Sequence, residues 1–242
     1  MPHRRIVLPL DFPTLDEARP FAEKLGDYVG VYKVGLELFT AAGAAALRPS
    51  SRHNLPIFLD LKLHDIPETV ERAVSAVAKL GVEYLTVHAS GGFEMLRRAA
   101  ACAERDGKGR LKLLAVTVLT SMSDDELHGM GVARTAQEQV LHLANLAWSA
   151  GIRGFVCSPL EVSALRKELG HEAKLVVPGV RPPGSPAGDQ KRTATPAAAI
   201  AEGADLLVIG RPIRDAPDPT AAAKIIAFQI GNALGDGPTL SG

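Results

Sequence analysis

The stretch Phe58-Leu59-Asp60-Leu61-Lys62-Leu63-His64-Asp65-Ile66-Pro67 sets a carboxylate and an ammonium two residues apart inside an apolar run. On a β-strand, Leu59, Leu61 and Leu63 share one face and Asp60 and Lys62 the other. Charges on an enclosed strand face are costly unless they are paired and hydrogen-bonded. A pair kept for stability alone could be exchanged for apolar residues at little cost, so chemistry accounts better for this one. Two more charged residues end or interrupt apolar runs: Asp11 after Ile6-Val7-Leu8-Pro9-Leu10, and Lys33 within Val31-Tyr32-Lys33-Val34-Gly35. Carboxylates and ammoniums gathered in one cleft suit proton transfer and the stabilisation of a carbanion.

A second group of residues suits an anion. In Val208-Ile209-Gly210-Arg211 the glycine allows close backbone approach and the arginine supplies a fork of donors. The irregular stretch from Pro178 to Thr195 carries Arg181, Gln190, Lys191 and Arg192 among prolines and glycines. A loop of that length in a compact domain is commonly functional. Together these features predict a phosphorylated substrate covered by a loop. The seven histidines include no pair at i, i+4, and Cys-x-x-Cys and Gly-x-Ser-x-Gly are both absent. The expected chemistry therefore uses lysines and aspartates with no metal and no cofactor.

Residues so scattered along the chain need a frame that brings them together. Eight apolar or β-branched runs recur: 5–11, 29–35, 57–63, 84–89, 113–119, 154–159, 174–180 and 205–211. Most are apolar at both parities, as in a buried parallel sheet. Helical patterns with their own start signals lie between them: Thr14 to Glu17, Ser123 to Glu126, Thr195-Pro196 and Asp218-Pro219. Val70, Val74, Val77 and Leu80 form one helix face ended by Gly81, and Val140, Leu143, Ala147 and Trp148 another ended by Gly151. Eight such units in 242 residues predict an α/β fold, a single-domain (β/α)8 TIM barrel over residues 1–234 with a flexible tail over 235–242. An open doubly wound sheet that binds a dinucleotide would place a glycine-rich turn after its first strand, where Asp11-Phe12-Pro13-Thr14 stands instead. In a barrel, the strand ends bearing Asp11, Lys33, Asp60, Lys62 and Arg211 share one mouth.

Composition sets the bounds. The 27 basic and 27 acidic side chains cancel, which argues against a general binder of nucleic acid or membrane surfaces. Cys102 and Cys157 make no disulfide framework and are expected as buried thiols. Met1-Pro2-His3-Arg4-Arg5 leads straight into Ile6-Val7-Leu8 without a signal-peptide pattern, and no uncharged run is long enough to span a bilayer. A cytoplasmic protein is expected.

The segment from Asp60 to Val70, Asp-Leu-Lys-Leu-His-Asp-Ile-Pro-Glu-Thr-Val, resembles the signature of the orotidine 5′-phosphate decarboxylases, bacterial type. Val31 to Gly35, Ala115 to Met122, Pro178 to Pro182 with Gly188-Asp189-Gln190, and Val208 to Ile213 resemble further segments of that family. The resemblance implies cofactor-independent conversion of orotidine 5′-phosphate to uridine 5′-phosphate (UMP) in pyrimidine biosynthesis. It implies Lys62 as proton donor to C6 of the pyrimidine, Asp60 beside the substrate carboxylate, and Lys33 linking Asp60 to the ribose. It implies Asp11 on a ribose hydroxyl, Thr120 or Ser121 on the pyrimidine edge, and Arg181, Gln190, Gly210 and Arg211 at the phosphate. It also implies a homodimer in which Asp65 and Thr69 serve the partner's site. Two alternatives remain at this point. One is a Mg-dependent sugar-phosphate decarboxylase or aldolase of the same barrel group; the other is a barrel that binds a nucleotide without catalysis.

Overall fold

The computed structural model describes residues 1–183 and 193–235. Its eight strands run β1 Ile6–Pro9, β2 Val31–Gly35, β3 Ile57–Leu63, β4 Tyr84–His88, β5 Lys112–Val116, β6 Gly154–Val156, β7 Lys174–Val177 and β8 Leu206–Val208. They pair in sequence order, all parallel, and β8 closes on β1 through Ile6 opposite Leu207 and Val7 opposite Val208. The helices between and after them are α1 Leu15–Leu25, α2 Leu36–Ala42, α3 Pro67–Ala78, α4 Phe93–Gly107, α5 Asp124–Gly129, α6 Ala136–Ser149, α7 Val162–Leu169, α8 Pro196–Ala201, α9 Arg211–Arg214 and α10 Pro219–Ala233. The expected (β/α)8 barrel is the fold observed.

The two strand faces do different work. Val7, Val31, Phe58, Tyr84, Leu114, Val176 and Leu206 fill the lower barrel interior, the layered packing that makes such a barrel a core and not a pore. The opposite parity, including Leu8, Leu59, Leu85 and Leu175, joins the larger core beneath the helices. Each fully buried aliphatic side chain there stabilises by roughly 1.5–3 kcal/mol.

The helix starts follow the expected side chains, with one difference in detail. Ser123 and Glu126 form a reciprocal capping box on α5, Thr195 caps α8, and Asp218 caps α10 through the amides of Thr220 and Ala221. At α1, Thr14 accepts from the Glu17 amide, but Glu17 returns to the Thr14 hydroxyl and not to its backbone. Leu80 lies beyond the end of α3 and is exposed; the helix stops early, so its last predicted apolar position faces water. No helix among the described residues is long and apolar enough to cross a membrane. The predicted tail beyond residue 235 lies outside the described residues.

Candidate active site

Parallel strands put every strand's C-terminal end at one mouth, and the charged residues meet there. Lys33, the middle residue of β2, is only 9% exposed. Its Nζ lies 3.3 Å from Asp11 Oδ1 and 3.5 Å from Asp60 Oδ2. On β3, Lys62 Nζ donates to Asp60 Oδ1 at 2.9 Å. The four residues thus alternate in sign: Asp11, Lys33, Asp60, Lys62. Gly35 leaves room for the chain of charges, because a Cβ there would stand 3.2 Å from Lys33 Nζ and 3.4 Å from Asp11 Oδ1.

Asp60 is the pivot. Burial alone would raise its carboxyl pKa; the two lysines and the hydrogen bonds from Lys62 and Thr86 outweigh that and hold it below the ordinary aspartate value. It is therefore a carboxylate at neutral pH, with one oxygen turned to each ammonium.

Above this pair lies a cavity of about 170 Å³. Lys33, Asp60 and Lys62 form its charged side, and Phe58, Val116, Val118, Val156, Pro178 and Val208 its apolar side. Leu119 and Thr120 from the loop after β5 complete the wall. Between the two polar candidates on that loop the geometry is asymmetric: Thr120 lines the cavity, whereas Ser121 is exposed and does not.

The cationic corner sits at the ends of β7 and β8. Gly210 caps α9, its carbonyl accepting from the amides of Ile213 and Arg214 at 2.9 Å each. Arg211 follows and is exposed. Arg214 reaches back to the Asp11 carbonyl at 3.1 Å, tying this corner to β1's end. After β7, the Arg181 amide donates to the Ala194 carbonyl at 2.9 Å beside a bridge between Val180 and Ala194. Gln190, with Gly188, Asp189, Lys191 and Arg192, lies outside the described residues.

Asp65 and Thr69 stand apart. Both are exposed, and Asp65 accepts from the following Ile66 amide at 2.7 Å. No ion pair among the described residues joins Asp65 to Lys62. Ile66 beside Asp65 is 66% exposed, and Phe93, at the start of the neighbouring helix α4, is 45% exposed.

Sequence reading missed one residue here, Thr86; His88, like His64, stands near a strand end where it could touch the site. Thr86 and His88 follow Tyr84 on the inner face of β4. Thr86 is fully buried and bonded to Asp60. His88 packs its ring against His64, centroids 5.4 Å apart. Among the described residues there is no group of three or more His, Cys, Asp or Glu placed to hold a metal ion.

A family model described as orotidine 5′-phosphate decarboxylase / HUMPS family matches residues 4–226. The chain is 54% identical over 226 residues to the orotidine 5′-phosphate decarboxylase of Anaeromyxobacter sp. (strain K), spanning 93% of this chain and 98% of that one. It is 48% identical over 231 residues to that of Moorella thermoacetica, covering 93% and 92%. The crystal structure of orotidine 5′-phosphate decarboxylase from Lactobacillus acidophilus superposes with a TM-score of 0.82 at 40% identity, over 94% of this chain and 99% of that one.

Proposed function

The chain belongs to the orotidine 5′-phosphate decarboxylase / HUMPS family, and we infer from this premise that it is an enzyme converting orotidine 5′-phosphate to uridine 5′-phosphate in pyrimidine biosynthesis. The observation that carries the mechanism is the Asp60 carboxylate held between two ammoniums beside the cavity, Lys62 at 2.9 Å and Lys33 at 3.5 Å.

In the reaction the C6–carboxyl bond breaks, CO2 leaves, and the electron pair stays on C6 in an orbital lying in the ring plane. The ring cannot delocalise that pair as an enolate would. A fixed ammonium beside C6 stabilises it without reorganising during the reaction. Lys62 is that ammonium: its proton passes to C6, and solvent later returns one to the amine. Asp60 orients Lys62 and lies beside the departing carboxylate. Lys33 balances Asp60 and, with Asp11, faces the ribose. Thr120 hydrogen-bonds the pyrimidine edge, with Ser121 as the other candidate on that loop. Arg181, Gln190, Gly210 and Arg211 grip the phosphate, supplying binding energy remote from the reacting carbon.

The working unit is a homodimer in which Asp65 and Thr69 reach the partner's site. Ile66 and Phe93, exposed at the starts of the adjoining helices α3 and α4, support this, since large apolar side chains exposed near one another favour being covered. The cytoplasm is the proposed compartment.

The test is direct. Purified protein is added to orotidylate with a chelator present, and the substrate's ultraviolet absorbance is followed. It is expected to disappear as uridylate forms. Activity that appears only with added Mg²⁺ would point to the metal-dependent branch of the barrel group.

A further inference from the structure

We propose that Thr86 is a positioning residue for the decarboxylation, its hydroxyl fixing both the backbone of Lys62 and the orientation of the Asp60 carboxylate. The proposal rests on the roles assigned above to Lys62 and Asp60.

The need for such a residue arises in the ladder between β3 and β4. Phe58 pairs with Tyr84 and Leu59 with Leu85, but the next partners are Leu63 and Val87. Four residues of β3 therefore advance against two of β4, and the surplus falls on Asp60 to Lys62. Lys62 takes φ +51°, one of two non-glycine residues with positive φ among those described. An unbranched L-residue adopts that conformation only where its surroundings impose it.

Thr86 stands opposite the surplus. Its Oγ1 accepts from the Lys62 amide at 2.8 Å, the place a strand carbonyl would hold in a regular ladder. The same hydroxyl donates to Asp60 Oδ1 at 3.0 Å. The directions follow from the groups: an amide can only donate and a carboxylate can only accept. Because Asp60 Oδ1 also receives Lys62 Nζ at 2.9 Å, the hydroxyl closes a ring through main chain, carboxylate and ammonium of the tripeptide Asp60-Leu61-Lys62. It also distinguishes the two carboxylate oxygens, leaving Oδ2 for Lys33 at 3.5 Å. Thr86 is 0% exposed, so water does not replace it.

The test uses Thr86→Val, which keeps the shape and removes the hydroxyl, and Thr86→Ser, which keeps the hydroxyl and removes the methyl. Thr86→Val is expected to lower kcat by about 10²-fold, the scale of a small misplacement of catalytic groups, with KM for orotidylate little changed. Its acid limb in kcat/KM should move to higher pH, because Asp60 loses a hydrogen bond to its charged form. Thr86→Ser is expected to stay within about threefold of the parent in kcat, on the premise that the hydroxyl and not the methyl positions the groups. Thr86→Cys fills nearly the same volume with a weak donor and acceptor; it should fall between the two and serves as the test if Thr86→Val does not fold. A folded Val or Cys variant with parental kcat, or a folded Ser variant as impaired as Val, overturns the proposal. Lys62→Ala run alongside separates the two levels. If that variant keeps turning over, the assignment of Lys62 fails; if it is inactive while Thr86→Val is not, only the role of Thr86 fails.

Discussion

Replacing Lys62 by alanine removes the ammonium that faces Asp60 and, in the proposed mechanism, the proton that C6 receives. Turnover is expected to vanish while uridine 5′-phosphate still binds, as read by calorimetric titration, because Arg211 and the β7–β8 corner are untouched. Sustained decarboxylation by Lys62→Ala would exclude it as the donor. His88 offers a separate handle at this scale. Burial, then His64, then Lys62 lower its pKa below the ordinary imidazole value. The unfolded chain therefore binds a proton that the folded one refuses between the folded pKa and about 6.5. His88 thus costs no stability above that upper limit and lowers it progressively as pH falls toward the folded value. Thermal melts of His88→Gln should show a shallower decline between pH 7 and pH 5 than the parent, and equal slopes would remove His88 as the cause. Asp60 works in a lower window: its depressed pKa adds stability that is present above the unfolded value and lost as pH falls through the folded one. At this scale the charged residues were legible because charge inside an apolar run is conspicuous. Asp11, Lys33, Asp60 and Lys62 meet as their spacing suggested. Thr86 was not legible, since a threonine in a strand is ordinary and its importance depends on a neighbouring strand's register.

The eight strand runs were readable because a parallel sheet buried on both faces is apolar at both parities. Their limits were less so. The runs at 154–159 and 205–211 continue past strands β6 and β8, which end at Val156 and Val208. Apolar character follows burial, whereas a strand ends where its hydrogen-bond partner does. Likewise Asp60 and Lys62 face the same way, but through a bulge that alternation alone does not foresee. Strand β6 also begins at a position where a side chain has no room. A Cβ on Gly154 would stand 2.7 Å from the Leu113 carbonyl oxygen on the neighbouring strand. Gly154→Ala is expected to destabilise by about 1–3 kcal/mol, the usual cost of overpacking, measured by urea unfolding. An unchanged midpoint would mean that β5 and β6 part more easily than their packing suggests.

At the scale of the molecule, the two ends of the barrel have different duties. The mouth holds the charged pairs beside the cavity. The base is clamped by Asp205, which accepts from the Leu175 amide at 2.8 Å and Arg166 at 2.9 Å, while Arg166 also binds the carbonyls of Gly170, Ala173 and Gly203. The proposed dimer adds a further level, and mixing subunits tests it. Asp65→Asn, which retains an oxygen for the Ile66 amide, and Lys62→Ala should each be poorly active alone. If Asp65 serves the partner, a heterodimer of the two regains one intact site of its two by symmetry. Absence of recovery in verified heterodimers would place Asp65 outside the partner's site.

The closure of β8 on β1 has a consequence in time. Ile6 finds Leu207, and Arg5 reaches the Asp205 carbonyl across 200 positions of sequence, so the first strand made waits for the last. Until β8 leaves the ribosome, β1 carries an unpaired parallel edge, the kind of surface on which nascent chains aggregate. Contacts so distant in sequence also slow folding, because the loop-closure entropy is lost before they form. Nascent chains truncated before Leu206 should accordingly depend most on chaperones, and release of the final strand should be the step that frees them.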